Sequence, residues 1–516
     1  MTLTKIFPGR VSLQEGALLL SLISLLGLQM DNFAGDPGVG WHLATGKWIA
    51  QHWAVPKVDP FLASTVARPW VSDQWLADYL FNQLFQLGSW PLLYAVLTAV
   101  YLVTYFLFLH GGLKRLGTGA LAATAGTLVA FKAGQIHFIL RPVLFSFLFF
   151  AAVFVWVLAA ERSREPPARV AWLILPAAFM LWANLHPGFV LGLFLMGALA
   201  VSVFLRRVCE ISIWGPYVGL ALVCGLATVI NPQFFELHRS ILALQQSSYF
   251  MQLHEEWRPI QPGTPEGDLF ISALILVALG AVFGKGERRA GGDFPLLMFL
   301  AFAWWTLNAV RMVPFFGIVA AYPVACSLQS LGRTLPFQRL RSFRRLKEAF
   351  TFFEEREGRS RGTGGLLAIG VLVLLFSSIT FGNLILFRGP FGPKESKFPY
   401  AAVAELLKRR GDAGGAPWTV AAGAEWGGFI AFWGQGQLKP LIDDRNTMLG
   451  EDFYRRYEEH VENGKNWEEF LNAQSADVVL LQPERPLIKA FRAAPSSGWD
   501  VVFTDEVATA LLREMP

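Results

Sequence analysis

The sequence predicts a polytopic α-helical membrane protein with a small soluble α/β domain at its C-terminal end. Three observations predict it. Of 516 residues, 53% are hydrophobic and only 16% are charged, whereas ordinary soluble proteins carry about 25% charged residues. The apolar residues form long unbroken runs, and a transmembrane β-barrel would instead show alternation. The last stretch, residues 388–516, breaks the pattern with 15 Lys/Arg, 19 Asp/Glu and no spanning run. This composition excludes a disordered chain, a disulfide scaffold and an ordinary cytosolic enzyme.

A span takes about 20 mostly apolar residues. Eleven runs qualify, at about 12–30, 90–110, 116–131, 142–160, 170–183, 188–205, 213–230, 269–283, 294–307, 312–331 and 365–387. The first has a short basic start, Lys5 and Arg10, but no small-residue cleavage site, so it reads as a span rather than a signal peptide. Loop charges set orientation. With the N-terminus in the cytoplasm, the cytoplasmic segments hold 21 Lys/Arg and the outer loops before residue 388 hold 8. Eleven spans then put the C-terminal domain outside. The formal charge of +5 is therefore a matter of topology, and no nucleic-acid partner is expected. Cys209, Cys224 and Cys326 lie in or beside apolar runs without metal-ligand spacing and read as packed thiols.

The chain divides at residue 387 into a transmembrane domain, 1–387, and an external domain, 388–516. Two long outer loops stand out, 31–89 and 231–268. Residues 332–363 interleave Arg339, Arg341, Arg344, Arg345 and Lys347 with Phe337, Leu340, Phe343 and Leu346. That is a basic amphipathic helix for the cytoplasmic lipid surface. In the tail, short β-like runs at 419–422, 440–443, 477–481, 499–503 and 508–512 alternate with helical spacing at 401–410 and 453–462, an α/β pattern. Arg388 to Pro399, rich in Gly and Pro, reads as the linker.

Ionisable residues beside hydrocarbon are costly and mark function. Here they gather at the outer ends of spans. Asp36 follows the first span and precedes a helix-like stretch, Trp41 to His52. The plainer reading of Asp36-Pro37 is a helix N-cap with proline in the first turn. The other is a carboxylate held by helix N-terminal amides. The same loop carries His42, Asp59, Asp73 and Gln74 among Trp and Pro residues suited to the headgroup belt. Further along come His137, Arg141-Pro142, Asn184 and His186, Asn231-Pro232, Glu256 and Arg311. Singly, each is a cap or an anchor. Together they suit a cavity that binds a phosphate-bearing lipid and deprotonates a group beside it.

The pattern resembles the GT-C superfamily of polytopic membrane glycosyltransferases, in the bacterial branch akin to protein O-mannosyltransferase and lipid A aminoarabinose transferase. That branch shows Asp-Pro-Asp-x-x-Trp-His-Leu-x-x-Gly after the first span, and this chain has Asp36-Pro37-Gly38-Val39-Gly40-Trp41-His42-Leu43-Ala44-Thr45-Gly46. Pro56 to Phe61, Pro69 to Leu76, Arg141-Pro142, Asn184 to Gly188 and Asn231-Pro232 match further elements. Asp443-Asp444-Arg445 stands where the family tends to Asp-Gly-Arg. The chain departs at Gly38, where the family has a second acid, and at Gln74, where it has Glu.

The resemblance implies a GT-C-like bundle in a bacterial inner membrane. It implies transfer of a sugar from a polyprenyl-phosphate carrier to an acceptor on the periplasmic face. Asp36 would be the catalytic base. His42, Asp59, Asp73, Gln74, Arg141, Asn184, His186, Glu256 and Arg311 would bind the sugar, the acceptor or the phosphate. No cofactor is identified, and a divalent cation fits the family's paired acids without being predicted here. The alternative is a catalytically silent GT-C-fold subunit whose C-terminal domain docks a membrane-complex partner. A flippase ranks third, because the chain shows no internal repeat and its charges lie at span ends.

Overall fold

The structure, a computed structural model, describes residues 12–63, 68–246, 249, 255–284, 289–334, 367–368, 370–371, 373–374, 391–411, 415–493 and 498–514. Most of the expected amphipathic segment at 332–363, most of the span at 365–387 and the first residues of the linker lie outside them.

Helices occupy the first ten expected spans. Among the described residues six helical stretches are long and apolar enough to cross a membrane, Trp75–Arg115 and Val143–Arg162 among them, and two shorter apolar helices accompany them, Ala171–Leu185 and Ile211–Ala227. The protein is a multi-pass membrane protein. Its first helix, α1 (Leu13–Gln29), opens on Ser12, whose hydroxyl accepts the Glu15 amide at 3.0 Å, a side-chain cap for an otherwise unpaired N–H. Between α1 and the next span lies α2 (Val39–His52). The following helix, α3 (Trp75–Leu102), starts inside the expected loop and bends at Gly88 and Ser89.

Close packing comes from small residues. Gly126 in Ala120–Gly134 faces the Ala321 carbonyl of Val313–Thr334, and a Cβ there would lie only 2.3 Å from it. Gly317 sits equally close to Ala133. In lipid, where apolar burial gives helices no extra attraction, such close approach is what holds them.

The tail folds as an α/β unit. Its strands are β1 (Trp418–Ala422), β2 (Leu438–Pro440), β3 (Val478–Leu481), β4 (Trp499–Thr504) and β5 (Thr509–Arg513). They form one sheet in the order β2-β1-β3-β5-β4, with β2, β1 and β3 parallel and β5 antiparallel to both neighbours. Strand side chains alternate faces, and both faces are covered. Val420, Val478, Leu480 and Ala510 pack with Leu406, Trp426 and Phe429. Ala421, Val479, Leu481 and Leu511 pack with Tyr457, Phe470 and Ile488. Double coverage explains why β3 is an unbroken apolar run.

This unit is joined to the first loop. Ala63 N–H donates to the Pro440 carbonyl at 2.9 Å, at the edge of the sheet. Leu62 enters the sheet's own apolar cluster. Gly40 of α2 lies against Gly428, where a Cβ would approach the Gly428 carbonyl to 2.1 Å. Only glycine allows that approach. The Gly427-Gly428 pair thus serves helix packing.

Candidate functional site

At one end of the bundle the chain gathers charge from four separated segments. Asp36, 7% exposed, sits in the turn between α1 and α2. The Gly38 amide donates to its Oδ1 at 2.8 Å, and Arg141 Nε lies 2.7 Å from its Oδ2. α2 takes Gly38 as its N-cap residue and no side chain caps it. The Asp36 carboxylate is therefore fixed by a two-residue turn and a guanidinium, not by helix capping.

Arg141 precedes the helix Val143–Arg162 and reaches two acids. Its Nη1 lies 2.7 Å from Glu256 Oε1, and Glu256 Oε2 lies 3.7 Å from His137 Nε2. Burial pulls against the Arg141 charge, but Asp36 and Glu256 more than offset it and hold the guanidinium above its ordinary value. Burial likewise raises Glu256, yet the His137 bond and the charges of Arg141 and Arg311 keep it well below the usual carboxylate range.

His186 stands between two apolar helices. Its Nδ1 accepts the Gly188 amide at 3.0 Å and lies 2.7 Å from Ser146 Oγ, which in turn accepts Trp182 Nε1–H at 2.7 Å. With Nδ1 as acceptor, the neutral ring carries its proton on Nε2. Burial, then Arg311 and Arg141, push His186 down to about 3, so the neutral ring is the form present near pH 7. Arg311 stacks over Trp257 at 4.1 Å and has no ion-pair partner among the described residues. The site thus holds two carboxylates fixed by Arg141, Asp36 and Glu256, and two donors, Arg311 and His186 Nε2–H, with no direct ion pair among the described residues.

A second ionic cluster adjoins it. Arg445, buried, pairs with Asp443 beside it and with Asp59 of the first loop at 2.9 Å. Its guanidinium lies 4.6 Å from the Trp70 ring centre, 5.5 Å from Phe61 and 5.6 Å from Trp41. The Tyr454 hydroxyl donates to the Asp443 carbonyl. Trp70 also walls a cavity of about 530 Å³ that runs past Lys57, Pro232 and Arg239.

No family description matches the sequence, and no curated protein matches it. Solved structures do. The oligosaccharyltransferase of Archaeoglobus fulgidus in the apo form matches with a TM-score of 0.55 at 13% identity, over 90% of this chain and 70% of that one. AglB from the same organism, in complex with an inhibitory peptide and a dolichol-phosphate, matches with a TM-score of 0.50 at 12% identity, over 92% and 70%. ArnT from Cupriavidus metallidurans, bound to undecaprenyl phosphate, gives 0.46 at 13% identity, over 96% and 97%. The chain has a GT-C fold.

Within this GT-C fold the expected site residues separate into groups. Asp36, Arg141, His186, Glu256 and Arg311 come together. His42 Nδ1 lies 2.6 Å from Asp78 Oδ1; burial first, then the charges of Arg141 and Arg445, drive it well below its ordinary value. Asp59 is spent on Arg445. Asp73 and Gln74 bond to each other at 3.3 Å, and burial raises Asp73 to about 6. Asn184 is structural: it accepts Trp75 Nε1–H at 2.9 Å and donates to the Met180 and Ile230 carbonyls. Cys224 and Cys326 are buried, whereas Cys209 is exposed, because it lies in the short link between two helices.

The sequence reading missed Asp78, Ser146 and Asp444. Asp78 had a signal: a carboxylate one turn into a long apolar helix. Asp444 showed only as an acid where the resembled pattern has glycine, and Ser146 had no signal, since only the fold brings it to the site. Among the described residues no group of three or more His, Cys, Asp or Glu is placed to hold a metal ion.

Proposed function

We propose that this GT-C-fold protein is a membrane glycosyltransferase. It takes a sugar from a polyprenyl-phosphate carrier and passes it to an acceptor hydroxyl on the outer face of the membrane. Asp36 is the general base. The acceptor oxygen attacks the anomeric carbon from the side opposite the phosphate, the configuration inverts, and the carrier leaves as lipid phosphate. Arg311 and the His186 Nε2–H stabilise the charge that builds on the leaving phosphate, which is worth most where water is excluded.

The observation that carries this reading is the pairing of a fixed, buried carboxylate with cationic and N–H donors that make no ion pair among the described residues. A base needs the first and a phosphate leaving group needs the second. The AglB neighbour, solved with a dolichol-phosphate and a peptide, supports the carrier class. Arg141 serves as the clamp on Asp36 in this reading, with Glu256 fixing its other edge.

The test is reconstitution in proteoliposomes with polyprenyl-phosphate sugars and candidate acceptors, followed by the product's anomeric configuration. Transfer with inversion, lost in Asp36→Asn, is the expected result. Retention of configuration, or transfer surviving in Asp36→Asn, overturns the mechanism. The outer-face placement is tested by Ser396→Cys: a membrane-impermeant maleimide should label it in cells whose outer membrane alone is permeabilised. Labelling only after the inner membrane is opened reverses the orientation.

A further inference from the structure

Gly38 is the meeting point of two parts of the chain far apart in sequence. A Cβ placed on it would lie 2.9 Å from Asp36 Oδ1, 3.2 Å from Asp444 Oδ2 and 3.0 Å from Trp41 Nε1. Two carboxyl oxygens and an indole N–H thus surround one position from three sides. Asp36 comes from the turn after α1, Trp41 from α2, and Asp444 from the C-terminal unit, in the segment just after β2. Trp41 is 8% exposed and its Nε1 is buried with no hydrogen-bond partner. Asp444 Oδ1 is likewise buried and unpartnered. Around the one position lie an indole N–H and an acid oxygen that have no hydrogen-bond partner.

Two carboxyls that crowd one position disfavour each other's charge, so one holds its proton more tightly. The neighbours decide which. Asp36 has Arg141 and the Gly38 amide. Asp444 faces Asp36, Asp443 and Arg141, and its own turn continues into Arg445, which is spent on Asp443 and Asp59. Burial first, then the charges of Asp36 and Asp443, push Asp444 up to about 7, against the pull of Arg141.

We propose that Asp444 is the second carboxyl of the Asp36 site, giving up its own proton to solvent and then receiving the proton that Asp36 abstracts. The step rests on the transferase reading above. Asp36 takes the proton of the acceptor hydroxyl as the new oxygen–carbon bond forms and the carbon–phosphate-oxygen bond breaks, the bonding pair leaving on the phosphate. Asp444 gives up its own proton to solvent, and the abstracted proton then passes from Asp36 to Asp444, directly or across one water. Asp36 is restored for the next acceptor. Asp444 acts through Asp36, so it is a positioning residue, and docking of the C-terminal unit completes the site.

The experiment is an infrared titration of the full-length protein in lipid nanodiscs, following the protonated-carboxyl C=O band. Wild type should lose such bands from several buried acids, Glu462 among them with a midpoint near 7; the Asp444 band is the one, also with a midpoint near 7, that appears in the difference between wild type and Asp444→Asn. Asp444→Asn should lack that band, and Asp36→Asn should shift its midpoint downward, because the like charge is gone. Gly38→Ala is the second variant: its methyl group drives the oxygens apart and should also lower the midpoint. Thermal unfolding checks that each variant is folded. An Asp444→Asn spectrum from which no band is missing, or an Asp444 band unmoved by Asp36→Asn, overturns the proposal. In the transfer assay Asp444→Asn should lower kcat at least about tenfold with KM unchanged and erase the ionisation near neutral pH. The titration needs no sugar donor, so it stands or falls apart from the transferase reading. Loss of transfer in Asp36→Asn beside an unchanged band would retain that reading and sink this one.

Discussion

Two arginines sit at the same end of this protein, each between two carboxylates, and they do different things. Arg445 is buried with its side chain 6% exposed, flanked by Asp443 and Asp59 and walled by Trp41, Phe61 and Trp70. Arg141 is 28% exposed, between Asp36 and Glu256, with neutral His186 and ion-pair-free Arg311 nearby. The first arrangement is sealed and joins the first loop to the C-terminal unit. The second is open on one side and keeps unused donors. A sealed charge cluster specifies how parts dock; an open one with spare capacity is where a substrate's charge can be met.

The comparison breaks most visibly through activity. Asp36→Asn should lower the transfer rate by about 10²–10⁴-fold, the usual contribution of a general base, while the melting temperature changes little beside it. Arg445→Ala should do the reverse. Stranding Asp59 and Asp443 in a buried site costs about 3–5 kcal/mol, read as a fall in thermal stability and as new proteolytic cleavage between the loop and the C-terminal unit. Arg445→Ala that abolishes transfer while leaving the domains docked would show that the two clusters are one site.

Next in size is Gly40→Ala. The added methyl would sit about 2 Å from the Gly428 carbonyl, so α2 and the helix Ala424–Trp433 must separate. Such overpacking costs about 1–3 kcal/mol, and the measurement is again thermal unfolding in nanodiscs. The same substitution at Gly16, which has no neighbour within 4 Å of its Cβ position, should leave stability unchanged or raise it. That pair separates close packing from helix propensity.

The fold was legible because its signals are local. Apolar runs gave the helices, and alternation with turn residues gave the strands to within a few residues. The site was legible only in part. Asp36, Arg141 and Arg311 announced themselves as charges at span ends. Asp59 and Asn184 looked the same from sequence, yet one is bound to Arg445 and the other to backbone carbonyls, because pairing depends on which segments meet. Gly38 and Asp444 show the limit best. Each is a departure from the resembled pattern, an acid missing at one position and an acid in place of glycine at the other. Read along the chain they look like loss and noise. In space they face each other, and the Asp444 carboxyl lies beside the position a side chain at 38 would take.

The smallest predicted effect concerns Asp73, which belongs to neither cluster. Burial raises it from 3.8 to about 6, so the folded protein binds a proton there more tightly than the unfolded chain does. By linkage, the stability tied to that proton is fully present below the unfolded value and is lost as pH rises through the folded one. Above about pH 6 the buried carboxylate is therefore a cost. Asp73→Asn should leave the melting temperature unchanged in acid and raise it at about pH 8. Glu256 has the opposite sign. Its pairing with His137 and Arg141 lowers its folded value, so its contribution is present above its ordinary value and fades as pH falls. Glu256→Gln should accordingly destabilise near neutral pH and matter least in acid. Matching profiles for the two variants would mean that Asp73, too, is held by a cation, and that the open cluster extends further along the first loop than its ion pairs indicate.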